Sequence, residues 1–280
     1  MASGQTMEAI IADPQFEIIT TLAYSQTLPV NPKASAQEQQ APLSNCYLLS
    51  YGIDRLRAAA IELSWPAALA NLDRPGRVSS LSGEIEAHVQ AEHPAAEPAD
   101  RFIVRLALKR DGSMTIRSGP RPTVAAVPYF PLRLAGAAAA DDGIPVVPVR
   151  LDWGTTTTSA LTRHKTTWRG AYNAARARAG VAESSPFAMG EVLLRNEAGE
   201  LTGGCFTTAY FWRGGRWVTP PAAGGCKIGV SRRWALEHAG VVEEAVAARD
   251  LEDGETVWLS SAVGGFCRGR VTLEAGGEGR

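Results

Sequence analysis

Between Glu191 and Pro221 the chain reads EVLLRNEAGELTGGCFTTAYFWRGGRWVTPP, three strand-like runs separated by turn signals at Asn196 to Gly199 and at Gly214-Gly215. Apolar and β-branched runs this short, punctuated by Asn and Gly, cannot continue as helices, so they commit the stretch to antiparallel sheet, here read as a meander. A sheet with an apolar face must be covered. FEIITTLAY (16–24) alternates in the manner of a half-buried strand, and RFIVRLALKRDGSMTIRS predicts two strands joined at Asp111-Gly112. TVWLSSAV, the loop Gly264-Gly265 and a run from Cys267 to Leu273 predict two more near the end.

Helical spacing appears between these runs. Leu48 and Leu49 read as a short strand, after which Ile53, Leu56, Ala60, Ile61 and Leu63 share one face of a helix that ends before Pro66 and carries Arg55 in its first turns. Further helices are predicted over Leu81 to Ala91, within HKTTWRGAYNAARARAG up to a C-cap at Gly180, and over Arg232 to Ala239. The result is a mixed α/β (α+β) chain. An Ala-, Pro- and Gly-rich crossing from Thr123 to Gly154 divides it into 1–150 and 151–280.

A chain of 280 residues with 45% hydrophobic and 20% charged residues can build a real core. Its 28 Lys and Arg against 29 Asp and Glu leave a net charge of -1, so no general field draws nucleic acid or an anionic membrane. Neither is expected as a partner, and an anion must be caught locally. Trp212, Arg213 and Trp217, which resemble a base-stacking platform, read as core and rim residues of a hairpin. Cys46, Cys205, Cys226 and Cys267 form no CxxC pair, and His88, His93, His164 and His238 are dispersed, so no metal site is expected. The N-terminus lacks a basic and apolar leader, and no window reaches eighteen apolar residues; a soluble, cytoplasmic protein is expected.

Where could chemistry sit? Ile228-Gly229-Val230 opens the helix at Arg232, and free N–H groups at a helix start make a cradle for phosphate. Ser260 and Ser261 end a strand just before two glycines and could add hydroxyls and amides to it. Lysine-based covalent chemistry has four candidates, Lys33, Lys109, Lys165 and Lys227.

The order of segments is informative as a whole. The run H-K-T-T-x-R, then Tyr172 and a small-residue helix, then EVLLRNEAGELTGG, then WVTPPAAGGCKIGVSRR, resembles the class IV aminotransferase family, the fold-type IV pyridoxal-phosphate enzymes. Upstream, FEIITTLAY and I-D-R-L resemble the family's opening strand and its H-L-x-R-L segment, so the likeness spans about Phe16 to Val271. It implies a small N-terminal α/β domain, a larger C-terminal domain with a β-barrel-like core, pyridoxal 5'-phosphate between them, a small-molecule amino substrate and a homodimer. Lys165 matches the lysine that carries the cofactor as a Schiff base and moves protons, and Arg55 matches the phosphate arginine. Ile228, Gly229, Val230, Ser260 and Ser261 match the remaining phosphate contacts.

The H-K-T-T-x-R form and the ending WLSSAVGGF are most similar to the 4-amino-4-deoxychorismate lyase branch, which eliminates pyruvate to give 4-aminobenzoate. A transaminase of a D-amino acid, a branched-chain amino acid or an amine is the alternative. A divergent member with lost or altered catalysis is the third reading, because three positions depart from the pattern. Gly203 stands where the family's glutamate meets the pyridine nitrogen, Thr208 replaces an asparagine, and Gly264 replaces an arginine suited to a substrate carboxylate. A strand bulge could bring Glu200 toward the vacated place. Arg163, Arg169 and Arg268 are candidates for the lost arginine.

Overall fold

The computed structural model describes residues 6–121, 127–136 and 143–273. It opens with α1 (Met7–Ala12), whose N-cap Thr6 accepts from the Ala9 amide at 3.2 Å. β1 (Ile18–Tyr24) follows and is buried along both faces, Thr21 being the partly open position. The half-buried expectation fails for a tertiary reason. Ile18, Leu22 and Tyr24 pack in one cluster with Ile53 and Leu56, Ala23 on the opposite face packs in another with Tyr47 and Phe266, and residues 165–167 pair the edge that β2 leaves, Ile19 N donating to Lys165 O at 2.8 Å.

The strand expected at Leu48-Leu49 is absent. Extended pairing stops at Tyr47, whose N–H donates to Ala23 O; Leu48 then adopts a left-handed φ of +50° and its carbonyl accepts from Gly52 N. That turn starts α2 (Leu49–Glu62). Gly52 lets α2 lie close on β1, since a Cβ there would come within 3.4 Å of Thr20 Oγ1. Pro66 begins α3 (Pro66–Leu72) at its first turn, where a missing N–H costs nothing. α4 (Arg77–Glu92) is one turn longer at its start than the periodicity predicts. β2 (Phe102–Leu108) and β3 (Met114–Pro120) form the expected hairpin and give a three-stranded antiparallel sheet in the order β1-β2-β3. Ile53 and Leu56 of α2 and Leu81 and Ile85 of α4 pack on Leu22 and Val104, each worth about 1.5–3 kcal/mol as buried side chains.

The second unit follows. In chain order it holds β4 (Val146–Thr155), α5 (Ala160–Arg163), α6 (Gly170–Arg178), β5 (Glu191–Arg195), β6 (Leu201–Gly204), β7 (Thr208–Arg213), β8 (Arg216–Thr219), α7 (Val230–His238), β9 (Val242–Glu243), β10 (Thr256–Ser261) and β11 (Gly265–Thr272). The sheet order is β6-β5-β4-β11-β10-β7-β8-β9, with β4 parallel to both neighbours. The division expected at 150/151 falls inside β4.

The meander is not what forms. Where three runs are expected there are four strands, and β6 and β7, adjacent in sequence, stand far apart in the sheet order. Gly203 at φ +107° and the bend at 205–207 send the chain out of β6, and β7 pairs with β10 instead. The sheet curls into a half-barrel. Its β6 edge meets the chain beyond β9, where Leu201 N donates to Val246 O at 2.8 Å. Leu151, Leu193, Phe211, Val218 and Leu259 fill its interior. Across β7 and β8, Trp217 is buried and Trp212 exposed, as expected of core and rim.

Candidate active site

A cavity of about 430 Å³ is lined by β1, α2, the segment after α5, the 205–208 bend, the start of α7 and the end of β10. Of the residues expected at a site, Arg55, Lys165, Gly229, Val230, Ser260 and Ser261 line it. Ile228 does not: its N–H donates to Arg163 O at 2.9 Å and ties the loop before α7 to α5.

Lys165 is placed by its antiparallel run against β1. Its Nζ donates to Thr21 Oγ1 at 2.5 Å. On its N-terminal side the chain is tethered, because His164 Nε2 lies 2.7 Å from Glu62 Oε2 and Arg163 pairs with the same carboxylate at the end of α2. Burial works against ionised Glu62, yet the bonds from Arg163 and His164 prevail and hold its carboxyl below the usual range. Burial pushes the His164 imidazole down, against the pull of Glu62. Lys165 itself is held well below the ordinary lysine value by burial, then by Arg55, Lys227, Arg105 and Arg169. A neutral amine is thus accessible, which a carbonyl-attacking lysine requires.

Arg55 projects from α2 and is buried, with Nε and Nη2 finding no hydrogen-bond partner among the described residues. Burial lowers its guanidinium to about 10. A cation so placed is costly until an anion arrives. The Gly229 N-cap and the first turn of α7 share the cavity with it, and a Cβ at Gly229 would stand 3.1 Å from Thr208 Oγ1. Ser260 Oγ lies 2.7 Å from Tyr210 Oη, while Ser261 Oγ accepts from Gly264 N at 2.8 Å and shapes the turn between β10 and β11. Arg55, the amides and these hydroxyls fit a phosphate, and Lys165 fits an aldehyde.

The Gly203 side is different. Among the described residues no Asp or Glu lines the cavity. A bulge does interrupt the β5–β6 register, but Glu200 uses Oε2 to accept from Asn196 Nδ2 at 3.1 Å and does not reach the cavity. A carboxylate does approach from β5. Glu191 is wholly buried, and a Cβ on Gly204 would stand 2.5 Å from it. It accepts from Val192 N, Phe206 N, Thr207 N and Thr207 Oγ1 at 2.6–3.1 Å, so its capacity is spent on the 205–207 bend. Burial raises its carboxyl, opposed first by the Thr207 bond.

Of the arginines suggested as replacements at Gly264, Arg169 lines the cavity and stacks on Tyr172 and Phe206. Arg163 is engaged by Glu62, and Arg268 is buried with its guanidinium over Trp258. Sequence reading missed Arg121, whose Nη2 lies 3.8 Å from where a Gly264 Cβ would be. It missed Thr21 and Glu191 as well, and assigned no role to Lys227, whose Nζ sits 4.4 Å over the Tyr172 ring. Only the scarcity of lysines in the chain singled that residue out.

Three comparisons bear on this arrangement. No curated protein matches the chain. Among solved structures, a provisionally assigned amino-acid aminotransferase of Mesorhizobium loti is 23% identical, aligning over 92% of this chain and 100% of its own, with a TM-score of 0.59. The 4-amino-4-deoxychorismate lyase of Pseudomonas aeruginosa is 18% identical over 92% and 83%, TM-score 0.55. A fold IV transaminase of Curtobacterium pusillum is 15% identical over 92% and 79%, TM-score 0.56. At these identities the likeness shows a common fold. The family model for amino-transferase class IV matches residues 45–270, which is most of the sequence. The chain therefore belongs to the class IV aminotransferase family.

Proposed function

We propose that this protein is a pyridoxal-phosphate enzyme acting as a lyase of the 4-amino-4-deoxychorismate lyase kind, releasing pyruvate from a small carboxylated amine. The observation that carries this reading is the pairing, in one cavity, of a half-buried lysine amine with a buried arginine that has two nitrogens unpartnered among the described residues. Arg55, the amides of Gly229 and Val230, and the hydroxyls of Ser260 and Ser261 hold the phosphate. Lys165 would hold the aldehyde end of the cofactor.

When bound, the cofactor supplies an aldehyde for exchange with the substrate amine and a ring that withdraws electrons from the α-carbon. The chain's own groups do the rest. Thr21 Oγ1 orients Lys165 Nζ, which takes the substrate α-proton once it is released and later returns it. Arg121 and Arg169 hold the substrate carboxylate, and Tyr172 and Phe206 wall the site against water. The protein acts as a cytoplasmic homodimer of two-domain subunits.

Transamination of a D-amino acid, a branched-chain amino acid or an amine is the second reading. It requires the ring to accept charge in both half-reactions, and the lack of an Asp or Glu among the described residues lining the cavity disfavours it more than elimination. The deciding experiment is an absorbance spectrum with added pyridoxal phosphate, followed by borohydride and peptide mapping. A reduced adduct on Lys165, lost in Lys165→Ala, together with pyruvate release from 4-amino-4-deoxychorismate, is the expected outcome. No adduct on Lys165 in the wild-type chain sinks the assignment.

A further inference from the structure

Lys227 is the unexplained group of this cavity. It lies in the loop before α7 and lines both the main cavity and a small adjoining one bounded by Thr202, Gly204 and Tyr172. Its Nζ has no hydrogen-bond acceptor among the described residues and meets only the Tyr172 ring, at 4.4 Å. Lys227 is half-buried, and an ammonium there with no acceptor among the described residues is costly, so the neutral amine is more accessible than on an exposed lysine. Arg55 from α2 and Arg169 at the start of α6 disfavour its charged form, whereas Cys205 in the bend and Glu191 of β5 favour it. Burial, followed by Arg55, brings its amine down to about 8.

We propose that Lys227 is a second carbonyl-reactive amine of the site, able to condense with an aldehyde occupant independently of Lys165. The inference rests on the reading above for the identity of that occupant and on geometry for the reactivity. Lys165 Nζ is oriented by its bond to Thr21, whereas Lys227 Nζ lines the same cavity over a ring face, so Lys227 can reach an occupant without breaking a hydrogen bond. In the step, neutral Nζ attacks the carbonyl carbon and a C–N bond forms. The C–O bond breaks, both amine protons leave with the oxygen as water, and an imine remains. With one lysine bound as imine, the other stays available to hold or deliver a proton. A single chain thereby divides roles that one lysine otherwise performs in turn.

The test uses the full-length chain and the lysines as internal controls. Formaldehyde with a mild hydride donor is small enough to enter without a phosphate site. At neutral pH it should methylate Lys227 faster than exposed Lys33, and pyridoxal phosphate should protect Lys227. Methylation of Lys227 no faster than that of Lys33 overturns the proposal. In Lys165→Ala, pyridoxal phosphate followed by borohydride should place the adduct on Lys227, and Lys165→Ala/Lys227→Ala should carry none in the cavity. A Lys165→Ala variant that binds pyridoxal phosphate by calorimetry yet gives no Lys227 adduct also overturns it. Failure of the functional reading looks different: no adduct on Lys165 in the wild-type chain.

Discussion

Replacing Arg55 with leucine should move stability and phosphate affinity in opposite directions. In the ligand-free protein the guanidinium is buried with two nitrogens unpartnered among the described residues, and burial lowers it by more than two units, to about 10. At about 1.4 kcal/mol per tenfold change in acidity, holding the cation there costs about 3 kcal/mol. Because the folded value lies below the unfolded one, that penalty is fully present at neutral pH and fades only as the pH rises past about 10. Leucine retains most of the apolar stem's packing and removes the charge. In a chain of this size about 2 °C accompanies each kcal/mol, so the Tm of Arg55→Leu without ligand should rise by roughly 3 to 6 °C. Affinity should fall sharply. Two charge-assisted bonds at about 1.5–3 kcal/mol each correspond to about a hundredfold to ten-thousandfold loss for pyridoxal phosphate by titration calorimetry. A ligand-free Tm that drops, with affinity retained within threefold, would falsify the claim that Arg55 is kept for an anion.

Gly203→Glu, the obvious attempt to restore a carboxylate, should instead destabilise the chain by about 1–3 kcal/mol, because φ at that position is +107°. An unchanged Tm with raised turnover would show that the backbone there relaxes freely. Arg121→Ala should weaken binding of a carboxylated amine by about tenfold or more, the worth of about 1.5 kcal/mol, and leave pyridoxal phosphate affinity within twofold. Equal losses for both ligands would remove Arg121 from substrate recognition. Glu62 is held below the usual carboxylate range by Arg163 and His164, despite burial, so its contribution is present above that range and lost as the pH falls through its folded value. Melting curves across acid pH should therefore show a shallower acid-side decline in Glu62→Gln than in the parent; parallel curves count against the tether.

Much of this fold was legible in local patterns. The Asp111-Gly112 hairpin, the Ile53, Leu56 and Ala60 face of α2 and Pro66 as a boundary follow from chemistry carried by neighbouring residues, whereas Ile61, expected on that face, is exposed. What failed was decided at long range. Leu48 has a strand-forming side chain, but the pairing partner of Tyr47 is Ala23, and the chain turns once that contact is made. β6 and β7 look like hairpin neighbours because the sequence contains no mark of the sheet's other edge; β10, some fifty residues later, takes β7. The site divides in the same way. Lys165, Arg55 and the loop before α7 carry motif-like neighbours, whereas Arg121 faces Gly264 across more than a hundred residues. Thr21 and Glu191 act through sheet register, which no local spacing encodes.

The electrostatics of the cavity follow from where the carboxylates went. Arg55, Arg121, Lys165, Arg169 and Lys227 line it, and no Asp or Glu among the described residues does so. Nearby carboxylates are engaged elsewhere: Glu62 faces Arg163 and His164, Glu243 pairs with Arg232, and Glu191 is consumed by backbone N–H groups of the 205–207 bend. Like charges gathered in one cavity repel. Burial and the neighbouring arginines lessen that cost by drawing both lysines below the ordinary lysine value, without supplying counter-charge. A ligand that brings two anionic groups then relieves both the repulsion and the unpartnered nitrogens of Arg55. At a thousandfold excess over its Kd such a ligand adds about 4 kcal/mol to folding. Thermal stabilisation across a panel of mono- and dianionic amines consequently ranks candidate substrates by the same interactions that would orient them for reaction, and a panel in which dianions stabilise no more than monoanions contradicts this account of the cavity.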